Sequence, residues 1–182
     1  AQRSPVHVAW DSTMAEKSGY PHFMLKEIHE QPESVANTIR GRAQAETGEV
    51  SLPETNLTAE RVAQLERVVL LACGTSYHAA LLGRSMIERL ARLSAEVDVA
   101  WEYRYRDIVI GPETLVVAIS QSGETADTLG AAKVARERGA HVLAITNVVD
   151  SALARATSGA LYTHAGPEIG VASTKTFTAT LA

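Results

Sequence analysis

Cysteine is nearly absent from this sequence, and long apolar runs are absent altogether. Cys73 is the single cysteine, so an internal disulfide is impossible, and a reducing compartment such as the cytoplasm is expected. No apolar run approaches the roughly 20 residues that span a bilayer, and no signal-peptide pattern opens the chain. These absences argue against a disulfide-stapled fold and against a membrane protein.

Aromatic residues and net charge are also scarce. The aromatic share is 5%, and the formal net charge of the 182 residues is −4. Neither a nucleic acid nor an anionic membrane is therefore expected as a partner. No spacing of Cys and His indicates a metal site, and no P-loop or dinucleotide-binding glycine motif is present.

The N-terminal third differs in pattern from the rest of the chain. Residues 1–20 have no sustained period and are interpreted as a linker. Residues 21–60 are interpreted as a helical arm, with two helices broken near Pro32, followed by a polar connector. The main domain is predicted over residues 61–182.

Apolar runs alternate with helical patterns throughout the main domain. The first run, residues 66–73, is apolar at consecutive positions, as is typical of a strand buried on both faces. Four more strands are predicted over residues 95–103, 113–120, 141–147 and 160–165. Helices are predicted between strands over residues 76–92, 124–138 and 150–156. This alternation predicts an α/β fold: a doubly wound, flavodoxin-like, five-stranded parallel sheet of order 2-1-3-4-5, flanked by helices.

Two hydroxyl-rich loops follow the first and third predicted strands. Ligands of such sheets bind beyond the carboxyl ends of the strands at the switch point, here between strands 1 and 3. CGTSYH (73–78) and SQSGET (120–125) are therefore expected to face each other. Unpaired N–H groups at helix starts attract anions, and Gly74 and Gly123 allow close backbone approach. Because neither loop contains Lys or Arg, a small sugar phosphate is favoured over a nucleotide triphosphate with Mg²⁺.

Simpler roles are open for several of these residues. Ser76 and Ser122 are candidate helix caps, and either loop alone is better explained by capping than by a binding site. The two loops together at the switch point favour the site. Cys73 is expected to be a packed side chain rather than a nucleophile. Lys175 is expected to be a surface lysine, and EYRYR (102–106) a solvated strand end.

Four segments resemble the glucosamine–fructose-6-phosphate aminotransferases, which make glucosamine 6-phosphate from glutamine and fructose 6-phosphate. They are HFMLKEIHEQP, ACGTSYH, AISQSGETADTL and EIGVASTKTFT. SQSGET alone indicates only the wider sugar isomerase (SIS) fold, whereas KEIHEQP together with EIGVASTK is much more specific. The resemblance extends from about Val6 to the end of the chain.

The resemblance implies a sugar-phosphate site without a metal or an organic cofactor. It also implies a homodimer in which SIS subdomains of both chains build the sites. The residues expected to bind the phosphate are Ser76, Ser120, Ser122 and Thr125. Those expected beside the sugar are Thr75, Gln121, Val171, Ala172 and Ser173.

The family also implies a larger protein than this sequence. Its members have a glutaminase domain with an N-terminal cysteine nucleophile, a linker and two SIS subdomains. Residues 1–20 are thus expected to be a linker from a missing glutaminase domain, and residues 61–182 the first SIS subdomain. The family's catalytic glutamate, histidine and lysine lie in the second SIS subdomain. No catalytic residue is therefore expected in this fragment.

Two other functions are open. A sugar-phosphate-sensing regulatory module would need a basic DNA-binding arm, but residues 21–46 hold three Lys or Arg against four Glu. A stand-alone sugar-phosphate isomerase would need its own acid/base pair. Glu124 and Glu168 are the only carboxylates near the predicted crevice, and Glu124 is interpreted as a partner of a helix dipole.

Overall fold

The computed structural model describes Trp10 and residues 15–182. The predicted linker, residues 1–20, therefore lies mostly outside the described residues.

The arm contains two consecutive helices, α1 (Phe23–His29) and α2 (Gln31–Ile39). Glu30 separates them, and Pro32 lies in the first turn of α2, where a backbone N–H has no helical acceptor. The predicted break near Pro32 is confirmed. The polar connector is more ordered than its sequence indicates, since it contains a 3-10 turn (Pro53–Thr55) and a short helix α3 (Ala59–Ala63).

The main domain is built on five parallel strands. They are β1 (Arg67–Ala72), β2 (Ser94–Val99), β3 (Thr114–Ile119), β4 (His141–Thr146) and β5 (Gly159–Tyr162). Their spatial order is β2-β1-β3-β4-β5, as predicted. Almost every residue of β1 and β3 is buried, which explains why both strands have consecutive apolar residues.

Helices cover both faces of the sheet. They are α4 (Gly74–Leu90), α5 (Ala100–Tyr103), α6 (Ala126–Glu137), α7 (Ala152–Ala156) and α8 (Lys175–Leu181). Helices α5, α6 and α7 pack together on one face, where the small buried side chains of Ala131, Ala132 and Ala135 let α6 approach the sheet closely. Helices α4 and α8 lie on the other face, and α2 packs against α8.

The second predicted strand, residues 95–103, is wrong in its last part. The strand ends at Val99, and the next four residues form α5. Ala100 and Tyr103 are 0% and 2% exposed. Residues three apart lie on opposite faces of a strand but on the same face of a helix, so only the helical turn buries both against the core.

Candidate functional site

A small polar cavity lies at the carboxyl edge of the sheet, where β1 and β3 are neighbours. Ala72 and Ile119 are paired in register, so the loops that follow the two strands leave the sheet side by side. The cavity has a volume of about 130 Å³. Its lining residues are Cys73, Ser76, Ile119, Ser120, Gln121, Ser122, Thr125 and Thr128. The predicted meeting of the CGTSYH and SQSGET loops is therefore observed.

Helices α4 and α6 both begin at this cavity, from opposite faces of the sheet. Cys73 is the N-cap of α4 and Thr125 is the N-cap of α6. In the described part of the chain, neither side chain accepts a hydrogen bond from its helix. The first N–H groups of the two helices thus lack the usual side-chain acceptor, and the two helix dipoles place positive potential at the cavity.

The start of α4 differs from the prediction. The helix begins at Gly74 rather than at residue 76, so Ser76 lies in its first turn and is not its cap. Gly74 has φ +58°, a left-handed value that turns the chain from β1 directly into the helix. Capping is also the wrong interpretation of Ser122, because α6 starts four residues later, at Ala126, and its N-cap is Thr125.

The SQSGET loop is held together by its own hydroxyl groups. Ser120 Oγ accepts a hydrogen bond from the Gly123 N–H at 3.1 Å and lies 3.0 Å from Thr125 Oγ1. Ser122 Oγ accepts from the Glu124 N–H at 3.2 Å. Ser120 is 4% exposed, whereas Ser122 and Thr125 are half-buried at the cavity. The loop therefore presents hydroxyl groups from a fixed backbone.

Two more side chains complete one wall of the cavity. Cys73 is half-buried against the core, as expected, and Thr128 Oγ1 lies 3.8 Å from its sulfur. Thr128 was not predicted at the site, although its position three residues after Thr125 places it one helical turn further along α6.

The residues expected beside the sugar are not all at the cavity. Gln121 lines it, whereas Thr75 lies in the first turn of α4 and is absent from the lining. Val171, Ala172 and Ser173 belong to the loop between β5 and α8 and also do not line it. Val171 is fully exposed, and Ser173 Oγ donates to Glu168 Oε2 at 2.8 Å.

Asn147, which was not predicted, connects the cavity to the β5–α8 loop. Its backbone N–H donates to the Gln121 carbonyl at 3.0 Å. Its buried side chain donates to the Gly166 carbonyl at 2.6 Å and accepts from the Ala165 N–H at 2.8 Å. A polar residue directly after a buried strand, at the ligand edge of the sheet, was the available signal in the sequence.

The two carboxylates considered for acid/base catalysis are engaged in capping. Glu124 Oε1 accepts from the Ala152 N–H, at the start of α7, at 2.8 Å. Glu168 accepts from the N–H groups of Thr174 and Thr176 at 2.9 and 3.2 Å, at the start of α8. Neither is among the described residues that line the cavity, which weakens the stand-alone isomerase hypothesis.

Lys175 is not a surface lysine. It is 3% exposed, and its Nζ lies 2.7 Å from Glu30 Oε2 of the arm. Burial of an ammonium requires a charged partner, and the sequence alone does not show that the arm folds over this loop.

The EYRYR segment is also paired rather than simply solvated. Arg104 lies 3.1 Å from Asp127, and Arg106 contacts Asp98.

Over Trp10 and residues 15–182, no cluster of three or more His, Cys, Asp or Glu side chains is placed to hold a metal ion. Likewise, none of the helices in that part of the chain combines the length and apolar character needed to cross a membrane.

The sequence is similar to known proteins over nearly its whole length. It is 55% identical over 176 residues to the glutamine–fructose-6-phosphate aminotransferase [isomerizing] of Symbiobacterium thermophilum, covering 97% of this chain and 29% of that protein. It is 50% identical over 175 residues to the enzyme of the same name from Clostridium acetobutylicum, with 96% and 29% covered. The chain thus spans less than a third of the length of these curated relatives.

A solved structure shares the fold. The C-terminal domain of glucosamine-fructose-6-phosphate aminotransferase from Francisella tularensis superposes with a TM-score of 0.82 at 44% identity. The match covers 91% of this chain and 46% of that one. The resemblance to these aminotransferases is confirmed. The sequence profile of the SIS domain matches residues 62–182, and the chain belongs to the SIS domain family.

Proposed function

We propose that this chain binds the phosphate group of a sugar phosphate, fructose 6-phosphate or glucosamine 6-phosphate, in the cavity between β1 and β3. The carrying observation is that two helices begin at one hydroxyl-lined cavity without capping side chains. A phosphate needs several hydrogen-bond donors from different directions, and backbone N–H groups with hydroxyls provide them. Ser76, Ser120, Ser122 and Thr125 are assigned to the phosphate.

The sugar is placed between this cavity and the β5–α8 loop. Gln121 lines the cavity, and Thr75 starts α4 beside it. Val171, Ala172 and Ser173 lie on a loop that Asn147 ties to the Gln121 backbone, so they are assigned to the sugar.

We further propose that the chain is part of a glutamine–fructose-6-phosphate aminotransferase, the name that its relatives carry. In that protein, residues 1–20 link to a glutaminase domain, residues 21–60 form the arm, and residues 61–182 are the first of two SIS subdomains. The whole enzyme transfers ammonia from glutamine to fructose 6-phosphate in the cytoplasm, as a homodimer. Its catalytic groups lie outside these residues.

An NMR titration of the chain tests the phosphate site. Inorganic phosphate and fructose 6-phosphate should both shift the amide signals of Ser120, Ser122 and Thr125, whereas fructose should not. The double variant Ser122→Ala/Thr125→Ala should weaken phosphate binding by roughly 1–3 kcal/mol for each hydroxyl lost.

Ser94→Ala is the matched control, because Ser94 is exposed and begins β2, at the amino end of the strands and away from the cavity. It should leave the affinity unchanged. Unmoved loop amides at saturating phosphate, or full affinity in the double variant, would refute the phosphate site.

A further inference from the structure

The arm and the β5–α8 loop are joined by charged side chains that are removed from solvent. Glu27 of α1 is 2% exposed and accepts three hydrogen bonds from the loop backbone. Its Oε1 accepts from the N–H groups of Ile169 and Gly170 at 2.6 and 3.2 Å, and its Oε2 accepts from Gly170 at 3.1 Å. Such charge-assisted bonds are about twice as strong as neutral ones.

A second charged contact fixes the other end of the same segment. Lys175 Nζ lies 2.7 Å from Glu30 Oε2, and Lys26 Nζ lies 3.4 Å from Glu30 Oε1. Gly170 and Lys175 bracket residues 171–174, so both ends of this short segment are attached to the arm. Both attachments come from the KEIHE part of the arm.

Gly170 is shaped for this contact. A methyl group on its Cα would lie 2.5 Å from Glu27 Oε2, closer than real Cβ contacts allow. An alanine here would therefore push Glu27 Oε2 away from its present position against the Gly170 N–H.

We infer that Glu27 is a positioning residue of the sugar-phosphate site, acting through the backbone of residues 169–173. This inference rests on the proposed function, because it assigns Val171, Ala172 and Ser173 to the sugar. Glu27 itself does not line the cavity. It fixes the segment on one side, while Asn147 joins the start of the same loop to Gln121 at the cavity. The arm thus contributes to the site by positioning this segment.

Two ligands separate positioning of the sugar from binding of the phosphate. Glu27→Gln keeps the side-chain volume but replaces one acceptor oxygen with an NH₂ group. It should weaken binding of fructose 6-phosphate about tenfold and leave binding of inorganic phosphate within about twofold, by titration calorimetry. Gly170→Ala should have the same effect without any change of charge, and it serves if Glu27→Gln does not fold.

Glu33→Gln is the control, since Glu33 is an exposed carboxylate of α2 on the same arm. It should bind both ligands as the unchanged chain does. Hydrogen exchange provides a readout without ligand, in which the amides of Ile169 and Gly170 should lose protection selectively in Glu27→Gln.

The outcomes are distinct. Unchanged affinity for fructose 6-phosphate in Glu27→Gln and Gly170→Ala would overturn the inference, and so would an equal loss for both ligands. If the unchanged chain bound fructose 6-phosphate no more tightly than phosphate, the segment would have no sugar contact to position, and the inference would fail while the phosphate site stood. If it bound neither, the proposed function would fail and the inference with it. Exchange at Ile169 and Gly170 would then show only whether the contact itself forms.

Discussion

Ser120 Oγ and Thr125 Oγ1 lie 3.0 Å apart, and this pair closes the SQSGET loop at the mouth of the cavity. Ser120 Oγ also accepts from the Gly123 N–H. One buried hydroxyl therefore fixes two other parts of the loop, whereas Ser122 Oγ, among Trp10 and residues 15–182, bonds only to the Glu124 N–H beside it. The two serines serve the fold differently, although they are two residues apart.

The first prediction separates these serines by stability. Ser120→Ala should lower the free energy of unfolding by about 1–2 kcal/mol, because it removes the partner of a buried N–H and of a hydroxyl. Ser122→Ala should lower the free energy of unfolding by less than about 0.5 kcal/mol, because the Ser122 side chain is half-exposed and its hydrogen bond is local. Urea denaturation measures both, and equal losses would contradict the assignment.

The second prediction concerns the two glycines that begin the loop–helix turns. Gly74 and Gly123 both have left-handed φ values, +58° and +65°. An added Cβ at Gly74 would have no atom of the described residues within 4 Å, whereas at Gly123 it would overlap the Ser151 side chain and lie 2.8 Å from Thr146 Oγ1. Gly74→Ala should cost about 1–2 kcal/mol of strain, and Gly123→Ala about 3 kcal/mol or more.

Urea denaturation of the two variants provides the comparison, with Gly74→Ala as the matched control for strain alone. If the two losses were the same, the close packing of Gly123 against Ser151 would be wrong.

The alternation of apolar strands with helices predicts the parallel sheet, and the fold class supplies the strand order. The pattern is clearest in β1 and β3, which are buried almost throughout, and weaker in β2, where exposed and buried residues are mixed. Local pattern fails where long-range contacts decide the structure. The α5 turn forms because Ala100 and Tyr103 share one buried face. The local sequence resembles a strand and does not show that both side chains pack into the core.

In the site too, local pattern predicts some features and long-range contacts decide others. The two hydroxyl loops follow from the strand order, whereas the burial of Lys175 depends on Glu30, 145 residues earlier in the chain. The position of Asn147 directly after a buried strand marks it as a candidate, but the sequence does not show that it joins the loop after β3 to the β5–α8 loop.

The third prediction concerns stability in mild acid. Partial desolvation lowers the pKa of His164 below its ordinary value, and the nearby Arg42 guanidinium lowers it further, while Glu54 opposes them. In the pH range where this histidine titrates, the unfolded chain therefore binds more protons than the folded chain. Its contribution to stability is complete above the unfolded pKa of about 6.5 and is lost as the pH falls from there through the folded pKa.

His164→Asn should reduce the loss of unfolding free energy on acidification from pH 7, measured by urea denaturation at several pH values. Asn suits the site because His164 has φ +47°, which Asn tolerates better than most residues. If the unfolding free energy of the variant fell with pH as steeply as that of the unchanged chain, the prediction would be contradicted.

The fourth prediction concerns Tyr103. Its hydroxyl is buried and has no hydrogen-bond partner among the described residues. Burial, with a smaller contribution from Asp98, raises the pKa of Tyr103 to about 12. Tyr103→Phe removes this unsatisfied group and should raise the free energy of unfolding by up to about 1 kcal/mol.

Tyr162→Phe is the control, because its hydroxyl accepts from the Asp150 N–H at 3.4 Å. It should leave stability unchanged or lower it slightly. A loss in Tyr103→Phe as large as that of a normal buried hydrogen bond would show that the hydroxyl has a partner.

The fifth prediction weighs the buried Lys175–Glu30 pair against an exposed one. Lys175→Met leaves Glu30 with its weaker partner Lys26 at 3.4 Å and should cost about 2–3 kcal/mol, since the remaining carboxylate is largely removed from water. Lys133→Met breaks an exposed pair with Glu137 on α6 and should cost less than about 0.5 kcal/mol.

The double variant Lys175→Met/Glu30→Gln should not recover the loss, because Glu30→Gln also removes the carboxylate that pairs with the buried Lys26 ammonium at 3.4 Å. Urea denaturation of the single, double and control variants decides the point. If Lys175→Met and Lys133→Met cost the same, the arm would not be fastened to the loop by this pair. Because Lys175 begins α8, the loss should also appear as faster hydrogen exchange in α8 than in α6.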